Sequence, residues 1–379
     1  MENFIAYNPT RLHFGKGVLD NLPEAIQAFG KNVLLVYGKG SIKKAGIYDQ
    51  VVGKLVAAGA EIFEYSGIKS NPLIDDVDKA AALGREKNID VIVAVGGGSV
   101  IDSSKIISLA VANNLKGWDI MKQKAKPETK IPVIAVLTLA ATGTEMNQVA
   151  VLQNHETEEK LGYRHDLMYP NHSFLDPEFT YSVPKNYTAY GVADLIAHCF
   201  ELYFGAGDCS LSDRFIEAIV KDAMEWGPKV INAPTNYDYR ANIMWDATNA
   251  LNGLTGYGKV SGDWGVHAIG HVLSLLYDVP HGASLTIGYP AWLKLQKKRI
   301  PDRIKKLGKQ LFDVDTVDET IASVENMFSE IHCPVQLNDI GLTQDDLPEI
   351  ERIMNQNHVG GLHHKMNKED YIFLLEVMK

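Results

Sequence analysis

The chain has 379 residues, 46% hydrophobic and 22% charged, a globular composition long enough for two domains. Its formal net charge of −10 argues against a nucleic-acid partner, which favours a basic surface, but leaves room for a small anion held by backbone N–H groups. Three cysteines, Cys199, Cys209 and Cys333, have no C-x-x-C spacing; they build no disulfide framework and fit a reducing compartment.

The opening MENFIAYNPTRLHFGKG lacks a basic region followed by an apolar run, so no secretory signal is expected. No run approaches the roughly 18 apolar residues of a membrane span. The expectation is a soluble, cytoplasmic protein with no membrane partner.

The first half alternates between strand and helix. KNVLLVYG is an apolar, β-branched run ending in glycine and reads as a buried strand. A helix follows over about 49–58, then EIFEYSG as a strand and PLIDDVDKAAALGREK as a helix. DVIVAVGGGS is a strand stopped by three glycines, a helix starts near Val100, and IPVIAVLTLA is another strand. This alternation predicts a Rossmann-like α/β domain with a parallel sheet. His155 and His165 sit in a polar stretch that reads as loop. From about Pro184 the apolar residues recur at helical spacing, in AYGVADLIAHCFELYFG, LSDRFIEAIVKDAMEWG, YRANIMWDATNALNGL and DRIKKLGKQLF. The expected division is an α/β domain over 1–180 and an all-helical domain over 181–379.

Three turns carry the glycines. GGGS, Gly96 to Ser99, ends one strand and opens a helix, where backbone can approach a phosphate and the helix N-terminus favours an anion. The plain alternative is a tight strand-to-helix turn; the G-x-G-x-x-G fingerprint is absent. LTLAATGTEMNQ places Thr138, Thr142, Gly143, Thr144 and Asn147 after the next strand, suited to another part of a nucleotide or to capping a helix start. YGKGS, Tyr37 to Ser41, contains no carboxylate to accept from a ribose 2′-hydroxyl, while Lys39 and Ser41 suit a 2′-phosphate. A surface lysine is the alternative.

The second half carries histidines in helical register. In DLIAHCFE, Asp194 and His198 lie one turn apart on one face. In DWGVHAIGHVLSLLYDVPHG, His267 and His271 repeat the spacing and His281 follows. One carboxylate and up to four imidazoles from separate helices suit Fe²⁺ or Zn²⁺ and lack the thiolates of many structural zinc sites. Each histidine alone also fits a satisfied core or surface residue. H-E-x-x-H is absent, so a zinc-protease site is not supported. His363 and His364, near the C-terminus, read as solvated.

Taken in order, NPTRLHFGKG, YGKGSIKKAGIYDQV, SNP at Ser70 to Pro72, GGGSVIDSSK, TLAATGTEMN, LDP at Leu175 to Pro177, GVADLIAHCFE and GVHAIGH with PHG resemble the iron-dependent alcohol dehydrogenases. Within them they resemble the NADP-dependent butanol dehydrogenase and aldehyde reductase branch, over nearly the whole chain. The resemblance implies an N-terminal dinucleotide domain, a helical metal domain and a site in the cleft between. It implies Asp194, His198, His267 and His281 as ligands of Fe²⁺ or Zn²⁺, and His271 as a non-ligand histidine for proton transfer. Gly97, Gly98 and Ser99 would bind the pyrophosphate of NADP(H). Gly38, Lys39 and Ser41 would face the ribose, Asn71 the adenosine end, and Asp102, Thr138, Thr142, Asn147 and Lys160 would line the cofactor. Short- to medium-chain alcohols or aldehydes such as butanol and butanal are the implied substrates, and a homodimer the implied assembly. One departure is YGKGS where close relatives resemble YGGGS; the turn stays free of carboxylate.

Two other readings compete. Dehydroquinate synthase-like lyases share the general architecture and use NAD with a metal; the Asp plus three His set argues against them. A non-enzymatic nucleotide-binding protein with a metal-stapled helical bundle is the other.

Overall fold

KNVLLVYG, DVIVAVGGGS and IPVIAVLTLA are apolar nearly throughout because both faces of their strands are covered, whereas EIFEYSG, at the edge of the sheet, is only partly buried. The computed structural model describes residues 1–379. It contains β1 Arg11–Phe14, β2 Asn32–Gly38, β3 Glu61–Ile68, β4 Val91–Gly96, β5 Val133–Leu137, β6 Val149–Asn154, β7 Glu159–Arg164 and β8 His172–Leu175. Leu34, Val36, Ile92, Ala94, Val133 and Ala135 join one core cluster. Their neighbours Val33, Leu35, Val91, Val93, Ile134 and Val136 join another on the opposite face, as the two-residue side-chain period requires. Helices Ile74–Glu86 and Gly98–Asn113 cover the first face, and Ile47–Ala57 the second.

The six-stranded sheet has the order β1-β8-β5-β4-β2-β3, and every pairing in it is parallel. From β2 the chain steps outward to β3, then returns to the other side of β2 for β4 and on to β5. The reversal lies between β2 and β4, the place where sheets of this kind bind ligands at their carboxyl ends. The turns Gly38–Ser41 and Gly96–Ser99 leave those two ends.

The chain divides into two units. One comprises Tyr7–Val183 and Pro234–Thr248, the other Met1–Ala6, Pro184–Ala233 and Asn249–Lys379. A cut at residue 180 assigns helix Tyr237–Ala250 to the helical half, but Pro234–Thr248 packs with the sheet. Met244 joins the sheet's core, and Thr248 Oγ1 donates to Glu145 Oε1 at 2.5 Å. Helical periodicity shows that this segment has a buried face, not what buries it. His155 and His165 lie outside strands, in the turn and just past β7, but the polar stretch around them, read as loop, is largely the antiparallel hairpin β6–β7. Its polar residues Gln153, Asn154 and Lys160 are buried, so the strand alternation of polar and apolar residues is broken.

In the other unit, helix Lys185–Phe204 is buried on nearly every side, which explains its apolar composition. Helices Ser210–Asn232 and His281–Gln296 pack against it. The latter comes very close: a Cβ on Gly282 would stand 2.1 Å from the Tyr190 carbonyl oxygen. Glycine after His281 is therefore what lets the start of that helix close on Lys185–Phe204.

Candidate metal centre and dinucleotide site

Asp194 and His198 lie on helix Lys185–Phe204, His267 and His271 on Gly265–Tyr277, and His281 opens His281–Gln296. Ligand atoms of Asp194, His267 and His281 all lie within 4.8 Å of one another. Asp194 Oδ1 is 3.6 Å from His198 Nε2, 3.9 Å from His267 Nε2 and 3.7 Å from His281 Nε2. Ligand atoms about 2.1 Å from one tetrahedral ion stand about 3.4 Å apart, so a small contraction brings those of Asp194, His267 and His281 onto a common centre, with His198 Nε2 beside Asp194. The His271 ring lies 5.7 Å from that of His281, centroid to centroid.

The donor set fits a divalent metal. His267 Nε2 is buried and makes no hydrogen bond, while its Nδ1 pairs with Glu201 Oε1 at 2.9 Å. An imidazole fixed by one nitrogen and open at the other is the usual form of a metal-bound histidine. Burial, and then the neighbouring His267, push the His198 imidazole well below its usual pKa, which favours the neutral ring that metals bind. The His281 side chain keeps 25% of its exposure, whereas Asp194, His198 and His267 keep 8% or less, so the cluster is reached from the His281 side.

In the α/β unit the turns after β2, β4 and β5 carry Gly38, Lys39 and Ser41, then Gly97, Gly98 and Ser99, then Thr138 and Thr142, while Asn71 follows β3 and Lys160 lies on β7. Gly97 precedes helix Gly98–Asn113, and no side chain caps its start. A Cβ on Gly98 would stand 2.6 Å from Thr142 Cγ2, so glycine lets the threonine turn close over the helix start. Thr138 N–H donates to the Gly96 carbonyl at 3.0 Å, tying the same two turns. Ser99 Oγ donates to the Ser70 carbonyl, and the adjacent Asn71 Oδ1 accepts from Lys160 Nζ at 2.8 Å. Lys39 and Ser41 are exposed beside Gly38, as are Lys43 and Lys44. On β3, Glu64 accepts from the hydroxyls of Tyr37 at 2.6 Å and Tyr48 at 2.7 Å. Burial works against its ionisation, but the two phenols outweigh that and hold it below the usual carboxylate range.

Asp102 and Asn147 are buried in an internal network. Asp102 Oδ1 accepts from Thr144 Oγ1 at 2.5 Å, and its Oδ2 from the Val151 N–H at 2.8 Å. At the centre is Lys105, which the sequence reading passed over. Its Nζ donates to Thr144 Oγ1 at 2.6 Å, Asn147 O at 2.9 Å, Asn147 Oδ1 at 3.1 Å and Val149 O at 2.7 Å. Burial pulls its pKa down to about 8 despite the neighbouring Asp102. The signal for it was its place one turn after Asp102 on the same helix, in GGGSVIDSSK. His363, read as solvated with His364, is exposed and His364 is half-buried; their backbone N–H groups donate to Asp263 Oδ1 at 2.9 and 2.8 Å.

Residues 9–177 match the model of iron-containing alcohol dehydrogenases, and residues 188–378 that of the C-terminal region of the Fe-containing alcohol dehydrogenase family. A probable NADH-dependent butanol dehydrogenase 1 of Bacillus subtilis is 41% identical over 99% of both chains. The NADPH-dependent aldehyde reductase YqhD of Escherichia coli is 37% identical over 94% of each. The crystal structure of the NADH-dependent butanol dehydrogenase A of Thermotoga maritima superposes with a TM-score of 0.96 at 35% identity, over 100% of this chain and 99% of that one.

Proposed function

The chain belongs to the iron-containing alcohol dehydrogenase family and is an alcohol and aldehyde oxidoreductase; from that premise we propose that it reduces short- to medium-chain aldehydes such as butanal with NADPH, and reverses the reaction with the alcohols. The carrying observation is the convergence of Asp194, His267 and His281, with His198 beside them. When bound, the metal, Fe²⁺ or Zn²⁺, supplies Lewis acidity to the substrate oxygen, and the dinucleotide supplies the hydride.

The protein's own groups do the rest. Asp194, His198, His267 and His281 hold the ion, the one carboxylate offsetting part of its charge. Gly97, Gly98 and Ser99 receive the pyrophosphate at the helix start. Lys39, with Lys43 and Lys44 close by in sequence, favours a 2′-phosphate on the ribose, and both oxygens of Glu64 are already engaged by tyrosine hydroxyls. His271 delivers a proton to the oxygen as the carbonyl carbon accepts the hydride, and takes it back in the reverse direction. The protein acts as a homodimer in the cytoplasm.

The test follows absorbance at 340 nm with butanal and either NADPH or NADH, on protein reloaded anaerobically with Fe²⁺ or Zn²⁺. Metal-dependent oxidation of NADPH, much faster than of NADH, is expected. Equal use of NADH would keep the dehydrogenase and overturn the role of Lys39. No oxidation of either, across several short aldehydes, would overturn the substrate class.

A further inference from the structure

Helix Lys185–Phe204 carries a third polar residue on the face of Asp194 and His198. Glu201 follows His198 by three positions, so 194, 198 and 201 form one stripe. A carboxylate that is 2% exposed inside an apolar helix is costly unless its oxygens are satisfied. Those of Glu201 are. Oε2 accepts from the Trp264 N–H at 2.5 Å, and Oε1 from the His267 N–H at 3.0 Å and from His267 Nδ1 at 2.9 Å.

Those partners define a job. Trp264 is the N-cap of helix Gly265–Tyr277, and no side chain of that helix's own caps it. Glu201 therefore does from another helix what a capping box does locally: it takes the N-cap and third-residue N–H groups of the helix that carries His267. Its negative charge also sits at the positive end of that helix. Trp264 has φ +64°, a left-handed conformation uncommon for a bulky residue, so this entry needs an external hold. Because the Glu201 oxygens act as acceptors toward backbone N–H groups, His267 Nδ1 must carry the proton in this contact. The lone pair is then left on Nε2, the buried nitrogen facing Asp194 Oδ1.

We propose that Glu201 is the positioning residue of the metal centre: it fixes the tautomer and ring orientation of His267 and anchors the helix that bears it. One helix thus supplies two ligands directly and sets a third through Glu201. This rests on the metal-centre reading proposed above. Partners of this kind typically govern metal affinity by about 10–100-fold.

The experiment uses Co²⁺ as a spectroscopic metal, with wild type and Glu201→Gln. Glutamine keeps the shape, but its single oxygen cannot serve both helix N–H groups and Nδ1–H, and its amide places an N–H donor against them. Chelator competition is expected to give a Co²⁺ affinity about 10–100-fold weaker in the variant. Its visible d–d bands should change in position and intensity as the His267 ligand reorients, while the apoprotein's circular dichroism stays that of wild type. Equal affinity and identical bands would overturn the positioning role with the metal centre standing. Absence of Co²⁺ binding by wild type would overturn the metal reading and this inference with it. Should the variant fail to fold, the unsubstituted apoprotein decides: with ¹⁵N at histidine, His267 is expected as the Nδ1–H tautomer, and an Nε2–H tautomer would overturn the inference.

Discussion

His267 and His271 sit one turn apart on the same helix, yet their surroundings differ. His267 is held through Nδ1 by Glu201 and turns Nε2 toward Asp194. His271 lies beside His281, outside the trio whose ligand atoms converge. His271→Ala is accordingly expected to retain metal and to lose about 10²–10⁴-fold in turnover, the scale of a lost general acid. His267→Ala is expected to lose the metal. Metal content by elemental analysis beside kcat separates the two, and a metal-free His271→Ala protein would overturn the division of roles. Lys105 illustrates the limit of reading single residues. A lysine one turn from an aspartate reads as a surface pair; burial and four acceptors make it the clamp of the Thr144–Asn147 turn.

Among elements, the helical unit is braced by one carboxylate. Asp213, on helix Ser210–Asn232, accepts both terminal nitrogens of Arg303 at 2.8 Å and Lys259 Nζ at 2.6 Å. Arg303 belongs to helix Pro301–Phe312 and also donates to the Tyr203 carbonyl, so three segments meet there. Burial alone would raise the Asp213 pKa; the Arg303 and Lys259 bonds outweigh it and hold the carboxyl well below the usual range. A carboxyl whose folded pKa lies below its unfolded value stabilises above the unfolded value, near pH 4, and loses that contribution as pH falls toward the folded one. Asp213→Asn should therefore cost about 3–5 kcal/mol near pH 7, the scale for removing one partner of a buried pair. The gap should begin to narrow below about pH 4. Denaturant melts of both proteins between pH 7 and pH 3 check this, and a gap that widens on acidification would contradict it.

At the scale of the molecule, the proposed metal ligands all belong to the helical unit and the proposed dinucleotide residues all belong to the α/β unit. A metal serving chemistry and not folding should be removable. Chelation is expected to abolish activity, leave the far-ultraviolet circular dichroism intact and lower the unfolding free energy by no more than the mass-action contribution of the metal, about 2.7 kcal/mol at a hundredfold excess over Kd. Loss of helical signal on chelation would instead favour a metal that staples the bundle. Family membership and the 0.96 superposition rest on the whole chain, so they carry the fold and the reaction class. The choice between NADP and NAD rests on a few residues at one turn, and relatives described with each cofactor share over a third of their residues with this chain.

The sequence by itself determined the parallel sheet, because strands covered on both faces must be apolar throughout, as β2, β4 and β5 are. It determined the helical half, and the stripes on which Asp194 and His198 or His267 and His271 share a face, because helical register is local. The hairpin β6–β7 escaped it because its buried residues are largely polar, and β1 and β8 because four residues show too little of a period. Only tertiary structure decided that Pro234–Thr248 returns to the sheet, that Lys105 sits in a cage of oxygens, and that Glu201 reaches the helix of His267. Each depends on distances between segments far apart in the chain. Spacing along one helix or strand fixes which face a side chain occupies; packing alone fixes what that face meets.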